Sequence, residues 1–341
     1  MKRIPYPDLL AAFEKAMLTL GFTPARAQLC ARLFAETTRD GVYSHGLNRF
    51  PRFVTGIRNG IIHPNAEPTL VSAFGAIERW NGNLGPGNLN AHASMLRAIE
   101  LARQHGLGCV ALANTNHWMR GGTYGWLAAE RGMFALCWTN TMPNMPAWGT
   151  ATPVLGNPPF IIAIPRPGPN GEPTHVVLDS AVSQFSYGAL ANYSKRNEPL
   201  PVPGGYDSAG NLTTDAAAIE ASQRALPLGY WKGSGLALVF DMLAAMLSGG
   251  LSTHQLPRDT ARESSVSQIF LAIDPSNIAQ AASLTRIAND IVANLQAAPP
   301  IDPAHPVRYP GEQILKIREE NLRLGIPVDP TLWSHLESGK F

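Results

Sequence analysis

The chain is poor in cysteine, with three in 341 residues. Cys30, Cys109 and Cys137 stand far apart, each in an apolar run. An odd, sparse set excludes a disulfide framework and a zinc cage, and implies buried free thiols. No metal site is expected. The opening residues, MKRIPYPDLL, lack the apolar core of a signal peptide. No apolar run reaches the length of a membrane span; GLALVFDMLAAML stops short and carries Asp241. A cytoplasmic setting, with no membrane partner, is the expectation. Charge is scarce too. Charged residues make up 15% of the chain and the formal net charge is +2. No polybasic run occurs, so nucleic acid has no electrostatic footprint here. Internal repeats and low-complexity segments are absent. So is a G-x-G-x-x-G after a strand. NGNLGPGN has the wrong order and precedes the first clear strand. A dinucleotide, if used, is not held by the Rossmann turn.

What is present is apolar content, at 45% of residues, and a length that implies two domains or one with an insertion. The first sixty residues read as helix. PDLLAAFEKAMLTLGF carries an apolar stripe ending at Gly21, and TPARAQLCARLFAETTRDG runs from a Thr23–Pro24 start to Gly41. VYSHGLNRFPRF then opens a third helix, with Ser44 as N-cap and a kink at Pro51. Strands and helices alternate from there: LNAHASMLRAIELARQHG, LGCVALAN, GGTYGWLAAERG, MFALCWTN, PFIIAIPRP and THVVLDSA. Residues 195–230 read as an ordered excursion. WKGSGLALVFDMLAAMLSGG is a strong helix, SSVSQIFLAIDP a strand, and NIAQAASLTRIANDIVANLQ and PGEQILKIREENLRLG are helices. The fold class is α/β (α+β): a helical domain from both chain ends, residues 1–75 with 275–341, around a mixed-sheet domain, residues 76–274.

Several clusters carry possible chemistry. In VYSHGLNRFPRF, His45 and Arg49 are four apart and would share a helix face. A guanidinium grips a carboxylate with two parallel hydrogen bonds, and an imidazole one turn away exchanges a proton with the neighbouring oxygen. The same residues also fit a plain helix cap with a half-buried histidine. In NTNHWMRGGTYGW, His117 and Arg120 lie beside a Gly pair after a strand, with aromatics that form either pocket walls or core. Lys232, before Gly233 and Gly235 at a helix start, suits a phosphate or simple close packing. Asp179, ending an apolar strand, either orients His45 or caps a turn. Glu312 in RYPGEQ is adequately explained as a helix start.

Five segments, DGVYSHGLNRFPRF, NHWMRGGTYGWLAAERG, CWTNTMPNMPAWG, FSYGAL and LPLGYWKGSG, together resemble the malate/L-lactate dehydrogenase family of non-Rossmann NAD(P)-dependent oxidoreductases. The likeness runs from about residue 8 to residue 336. The NHWMRGG and GYWKGSG forms favour the family's 2,3-diketo-L-gulonate branch. The resemblance implies a homodimer that reduces a small-molecule 2-keto acid with NADH, NADPH being possible. It implies that His45 is the proton donor and that Ser44, Arg49, His117 and Asp179 hold substrate. It assigns the cofactor to His175, Val176, Val177, Leu178, Asp179, Ser180 and Ala181, to Trp231 and Lys232, and to Gly311, Glu312 and Gln313. Departures exist. GNPPF, Gly156 to Phe160, stands where the family reads G-T-N-P-L, and LDSAVSQ where many members have DMATS. The RPGPNGEP insertion lengthens a hairpin.

Overall fold

A computed structural model describes residues 2–259 and 262–340. A short strand, β1 (Lys2–Ile4), precedes α1 (Tyr6–Thr19) and α2 (Pro24–Arg39). The apolar stripes point inward: Leu9, Phe13 and Met17 of α1 and Cys30, Leu33 and Phe34 of α2 are buried. Next come α3 (Phe50–Arg58), a hairpin of β2 (Thr69–Phe74) and β3 (Ile77–Asn81), α4 (Gly87–His105), β4 (Leu107–Thr115), α5 (Gly122–Ala129) and β5 (Phe134–Thr139). A small ribbon, β6 (Met145–Pro146) and β7 (Pro153–Leu155), leads to β8 (Pro159–Ile164) and β9 (Val176–Ala181). The chain continues through α6 (Tyr187–Arg196), β10 (Gly205–Tyr206), β11 (Leu212–Thr213), α7 (Ala216–Ser222) and α8 (Trp231–Ser248). It closes with β12 (Val266–Ile273), α9 (Ala281–Gln296), α10 (Glu312–Leu324), β13 (Ile326–Val328) and α11 (Pro330–Ser338).

The central sheet is mixed, in the order β2-β3-β4-β12-β5-β8-β9. Only β3 and β4 run parallel; the other neighbours are antiparallel. Alternation sorts its side chains between two layers. Val110 and Leu112 of β4 pack with α4 and α5, whereas Cys109 and Ala111 face α8. Strand β9 is an edge, which leaves backbone groups available to a ligand. Among the described residues no helix is long and apolar enough to cross a membrane.

The chain ends meet. Strand β1 pairs antiparallel with β13, and one apolar core joins Ile4, Phe13 and Phe34 to Ile326, Trp333 and Leu336. Its centre is aromatic: Phe13, Phe34, Phe50 and Phe53 contact one another at ring-centroid distances of 5.1 to 6.1 Å. Three details differ from the sequence reading. The third helix does not begin at Ser44: Tyr43–His45 and Leu47–Arg49 form separate 3-10 turns, and Pro51 starts α3 rather than kinking it. A proline is at home there because its missing N–H lies in an unpaired first turn. Residues 195–230 contain a ribbon and the helix α7, whose first N–H groups are capped by Asp215. The boundary at residue 75 falls just after β2, so the outermost strand of the sheet lies in the segment assigned to the helices.

Candidate active site

His45 sits at the end of the first 3-10 turn, held from behind. Leu47 N–H donates to Thr38 Oγ1 at 3.0 Å, tying the segment to α2. Ser44 Oγ lies 2.9 Å from His45 Nδ1, so Nε2 is the ring atom left for a substrate. The 3-10 turns, not a shared helix face, bring His45 and Arg49 together, and Arg49's charge bears on the imidazole.

His117 meets them from the other side of the molecule, following β4. Its ring stacks on His45 at 5.9 Å between centroids and 22° between planes. Its Nδ1 accepts the Met119 N–H at 3.1 Å, which fixes the neutral tautomer with the proton on Nε2. Met119 adopts φ +63° to deliver that bond. Asn116 anchors the turn by donating to the carbonyls of Ile61, Leu84 and Gly85. Trp118 and Tyr124 of this segment are fully buried core, whereas Trp126 lines a separate cavity of about 300 Å³ with Asp40, Arg120 and Arg318.

The electrostatics are those of a cleft. His45, Arg49 and His117 keep some accessible surface, yet protein surrounds them closely enough to disfavour charge. Burial, reinforced by Arg49 and Arg120, lowers the His45 pKa to about 4. Burial and the neighbouring Arg49 and His45 hold His117 well below its ordinary value. Both imidazoles are neutral near pH 7. A carboxylate placed beside Arg49 would reverse the balance at His45. Arg49 itself donates to Glu263 at 3.0 Å, and Arg52 donates to the same oxygen at 2.9 Å. Between these residues, His117 and Met119 lies a cavity of about 30 Å³.

Asp179 does not orient His45. Its Oδ2 accepts the Gly122 N–H at 2.8 Å, and a Cβ at Gly122 would come within 2.7 Å of that oxygen. Burial raises the Asp179 pKa against the opposing charge of Arg120. The other cofactor candidates lie along β9. At its start, Val177 N–H donates to the Pro310 carbonyl at 3.0 Å, bringing Gly311 alongside. Gly311 has φ +99° and its α-carbon faces Val177 N and the His175 carbonyl. At its far end, the carbonyl of Val182 accepts from Leu228 N–H at 2.8 Å, which seats the start of α8 with Trp231 and Lys232, both exposed. Glu312 and Gln313 are engaged elsewhere: Glu312 with Lys316 and Gln296, Gln313 with Arg308. His175 is buried, with Nδ1 accepting Arg166 N–H at 2.9 Å. The open edge of β9, flanked by a close-approach glycine at one end and a lysine at a helix start at the other, fits an extended dinucleotide.

Sequence reasoning missed the ionic groups behind the site. Asp40 accepts from Arg39 Nε at 2.8 Å, Arg120 Nη1 at 2.7 Å, and Arg318 Nε and Nη2 at 2.8 and 2.7 Å. Arg120 therefore turns away from the pocket. Apart from the adjacent Arg39, the partners of Asp40 and Glu263 carry no local signal, because they lie 80 to 278 residues away.

The comparisons supply the class of this site of two clefted histidines, an arginine and an edge strand. The profile of the malate/L-lactate dehydrogenase family matches residues 4–337. Proteins named 2,3-diketo-L-gulonate reductase from Citrobacter koseri and Shigella boydii are each 43% identical over 336 residues, covering 98% of this chain and 99% of theirs. The solved sulfolactate dehydrogenase of Methanocaldococcus jannaschii superposes with a TM-score of 0.89 at 26% identity, covering 99% of this chain and 96% of its own. The chain belongs to the malate/L-lactate dehydrogenase family, and it is an oxidoreductase acting on a hydroxy or keto acid with a nicotinamide cofactor.

Proposed function

We propose that this protein reduces 2,3-diketo-L-gulonate to 3-dehydro-L-gulonate, with NADH as the preferred nucleotide and NADPH as the alternative to be tested. The stacking of His45 on His117 beside Arg49 carries the chemistry. Full-length likeness to the diketogulonate reductases supports the substrate. Arg49 holds the substrate carboxylate through its planar fork. His117 donates its Nε2 proton to a substrate oxygen, and Ser44 holds Nδ1 of His45. The bound carboxylate raises the His45 pKa, and the resulting imidazolium gives its Nε2 proton to the alkoxide oxygen as charge develops there. Reduced nicotinamide, when bound, supplies the hydride. The β9 edge from His175 to Ala181, with Gly311, Trp231 and Lys232, would hold it.

The GNPPF departure supports a second reading, the same chemistry on another 2-keto or cyclic 2-imino acid. Asn157 donates to Ser183 Oγ at 2.8 Å, and that hydroxyl donates to the Phe185 carbonyl. Ser186 then caps α6, whose Gly188 faces Ser44. A change in the loop thus reaches the site through α6.

The same proposal includes a cytoplasmic homodimer. Helix α8 supports it by exposing Leu238, Val239, Met242 and Met246 on one face, an area that a second copy would cover. Sedimentation at micromolar concentration reads this directly. It also includes the division into an end-built helical domain and a middle sheet domain, which the β1–β13 pairing supports. The reaction itself is tested with His45→Ala: kcat falls by about 10²- to 10⁴-fold while NADH affinity stays within about twofold. Equal loss of both would make His45 structural.

A further inference from the structure

A cavity of about 300 Å³ lies behind the histidine pair, where α2, α4, α5 and α10 meet. That is enough space for a small molecule, and the proposed reaction makes no use of it. Five arginines and three carboxylates line it, which leaves two positive charges over. His92 adds none, because burial, reinforced by Arg32 and Arg131, lowers its pKa to about 4. The charges are also sorted. Arg39, Arg120 and Arg318 are committed to Asp40. Glu36 and Glu130 act on Arg318, and Arg318 bears on Glu130 more strongly than the adjacent Arg131 does. Arg32 of α2 makes no hydrogen bond among the described residues, and Arg131, just past α5, donates to the Leu127 carbonyl. Both act on His92 of α4, on which no carboxylate acts. Arg120 is 4% exposed, and its Nε is buried without a hydrogen-bond partner. An unmatched guanidinium donor is costly until an acceptor arrives.

We propose that this cavity binds a small phosphate monoester, with the phosphate seated among Arg32, Arg131 and His92. Such a group carries close to two negative charges at neutral pH, which matches the surplus. Its three outer oxygens can be met from three elements, α2, α4 and the turn after α5. A carboxylate has two oxygens in one plane and would leave one of them unused. Arginine forks suit phosphate, and a neutral imidazole still donates one N–H. Trp126 lines the same cavity, with the Arg318 guanidinium 5.2 Å from its ring centroid. It offers the organic part of the ligand an apolar wall. The site stands apart from the proposed reaction and needs none of its residues.

Calorimetric titration of the full chain tests this, with NADH and oxamate filling the reaction site so that Arg49 cannot take the anion. Ribose 5-phosphate is compared with ribose and with succinate. Ribose 5-phosphate binds about tenfold or more tighter than succinate, and ribose gives no heat. Arg32→Gln and Arg131→Gln, both at exposed side chains, each weaken ribose 5-phosphate by about tenfold. Keto-acid turnover stays at the wild-type level in both, which shows that they fold. Absence of ribose 5-phosphate binding overturns the inference. Equal binding by succinate overturns it, as does an affinity within about twofold of wild type in both variants. Loss of binding when NADPH replaces NADH assigns the cavity to the nucleotide's own phosphate and overturns it too.

Discussion

Asp40 and Glu263 are each held by arginines at the seam between helices and sheet, yet the two clusters differ in kind. Asp40 receives hydrogen bonds from three arginines of α2, the segment before α5, and α10, and is 2% exposed. Burial alone would raise its pKa; the hydrogen bonds from Arg318 and the charges of Arg120 and Arg39 outweigh burial and keep it well below the usual carboxylate range. Glu263 has two arginines on a single shared oxygen. Each carboxylate adjoins a cavity, of about 300 Å³ at Asp40 and about 30 Å³ at Glu263. The difference lies in the lining: His117, which stacks on His45, borders the Glu263 cavity, whereas Arg39, Arg120 and Arg318 border the one at Asp40. The same chemical pair thus borders the histidine site in one place and lies behind it in the other.

The sharpest way to break this comparison is Asp40→Asn. Removing the acid strands three arginines, one buried and two partly buried, and destabilises the fold by about 3–5 kcal/mol. Urea denaturation measures this, and KM for the keto acid stays nearly constant. A large KM change with unaltered stability would interchange the two roles. The pH dependence has a definite sign. The Asp40 pKa is lower in the folded chain, so its contribution is complete above the ordinary carboxylate pKa of about 3.9 and is lost as pH falls toward the folded value. Acid titration of Asp40→Asn should show a shallower loss of stability below about pH 4.

Next in size is Arg49→Lys. Loss of the planar fork raises KM by about 10- to 100-fold, with stability changed by less than about 1 kcal/mol. The opposite split would make Arg49 a structural residue like Arg120. The smallest effect is a proton count. His45 has a pKa of about 4 in the free cleft against an ordinary 6.5. A carboxylate on Arg49 raises it, so oxamate binding to the NADH-loaded protein takes up a fraction of a proton between those two pH values. Calorimetry in two buffers of different ionisation enthalpy reads the uptake. Proton release would contradict the arrangement.

The sequence carried the elements whose signals are local. The stripe through Leu9, Phe13 and Met17 and the run from Gly108 to Leu112 name their own partners by periodicity. The SHG and NHWMRGG segments pointed to the histidines that the fold stacks together. Short strands did not announce themselves: β1 and β13 are three residues each and exist because they pair with each other. The reason for the His45–Arg49 proximity was also misread, because Gly46 breaks the segment into two tight turns where spacing suggested one helix. Glu263 and Asp40 were illegible for another reason. The adjacent Arg39 gives Asp40 one local partner, but its pairs with Arg120 and Arg318 and those of Glu263 with Arg49 and Arg52 span 80 to 278 positions and are properties of the folded path.

The clasp between β1 and β13 closes a core whose two parts are unequal. Its aromatic centre comes entirely from Phe13, Phe34, Phe50 and Phe53, close in the chain, whereas its rim takes Ile326, Trp333 and Leu336 from more than 270 positions away. Opening the clasp would therefore expose the rim first and leave the ring cluster of the first helices together.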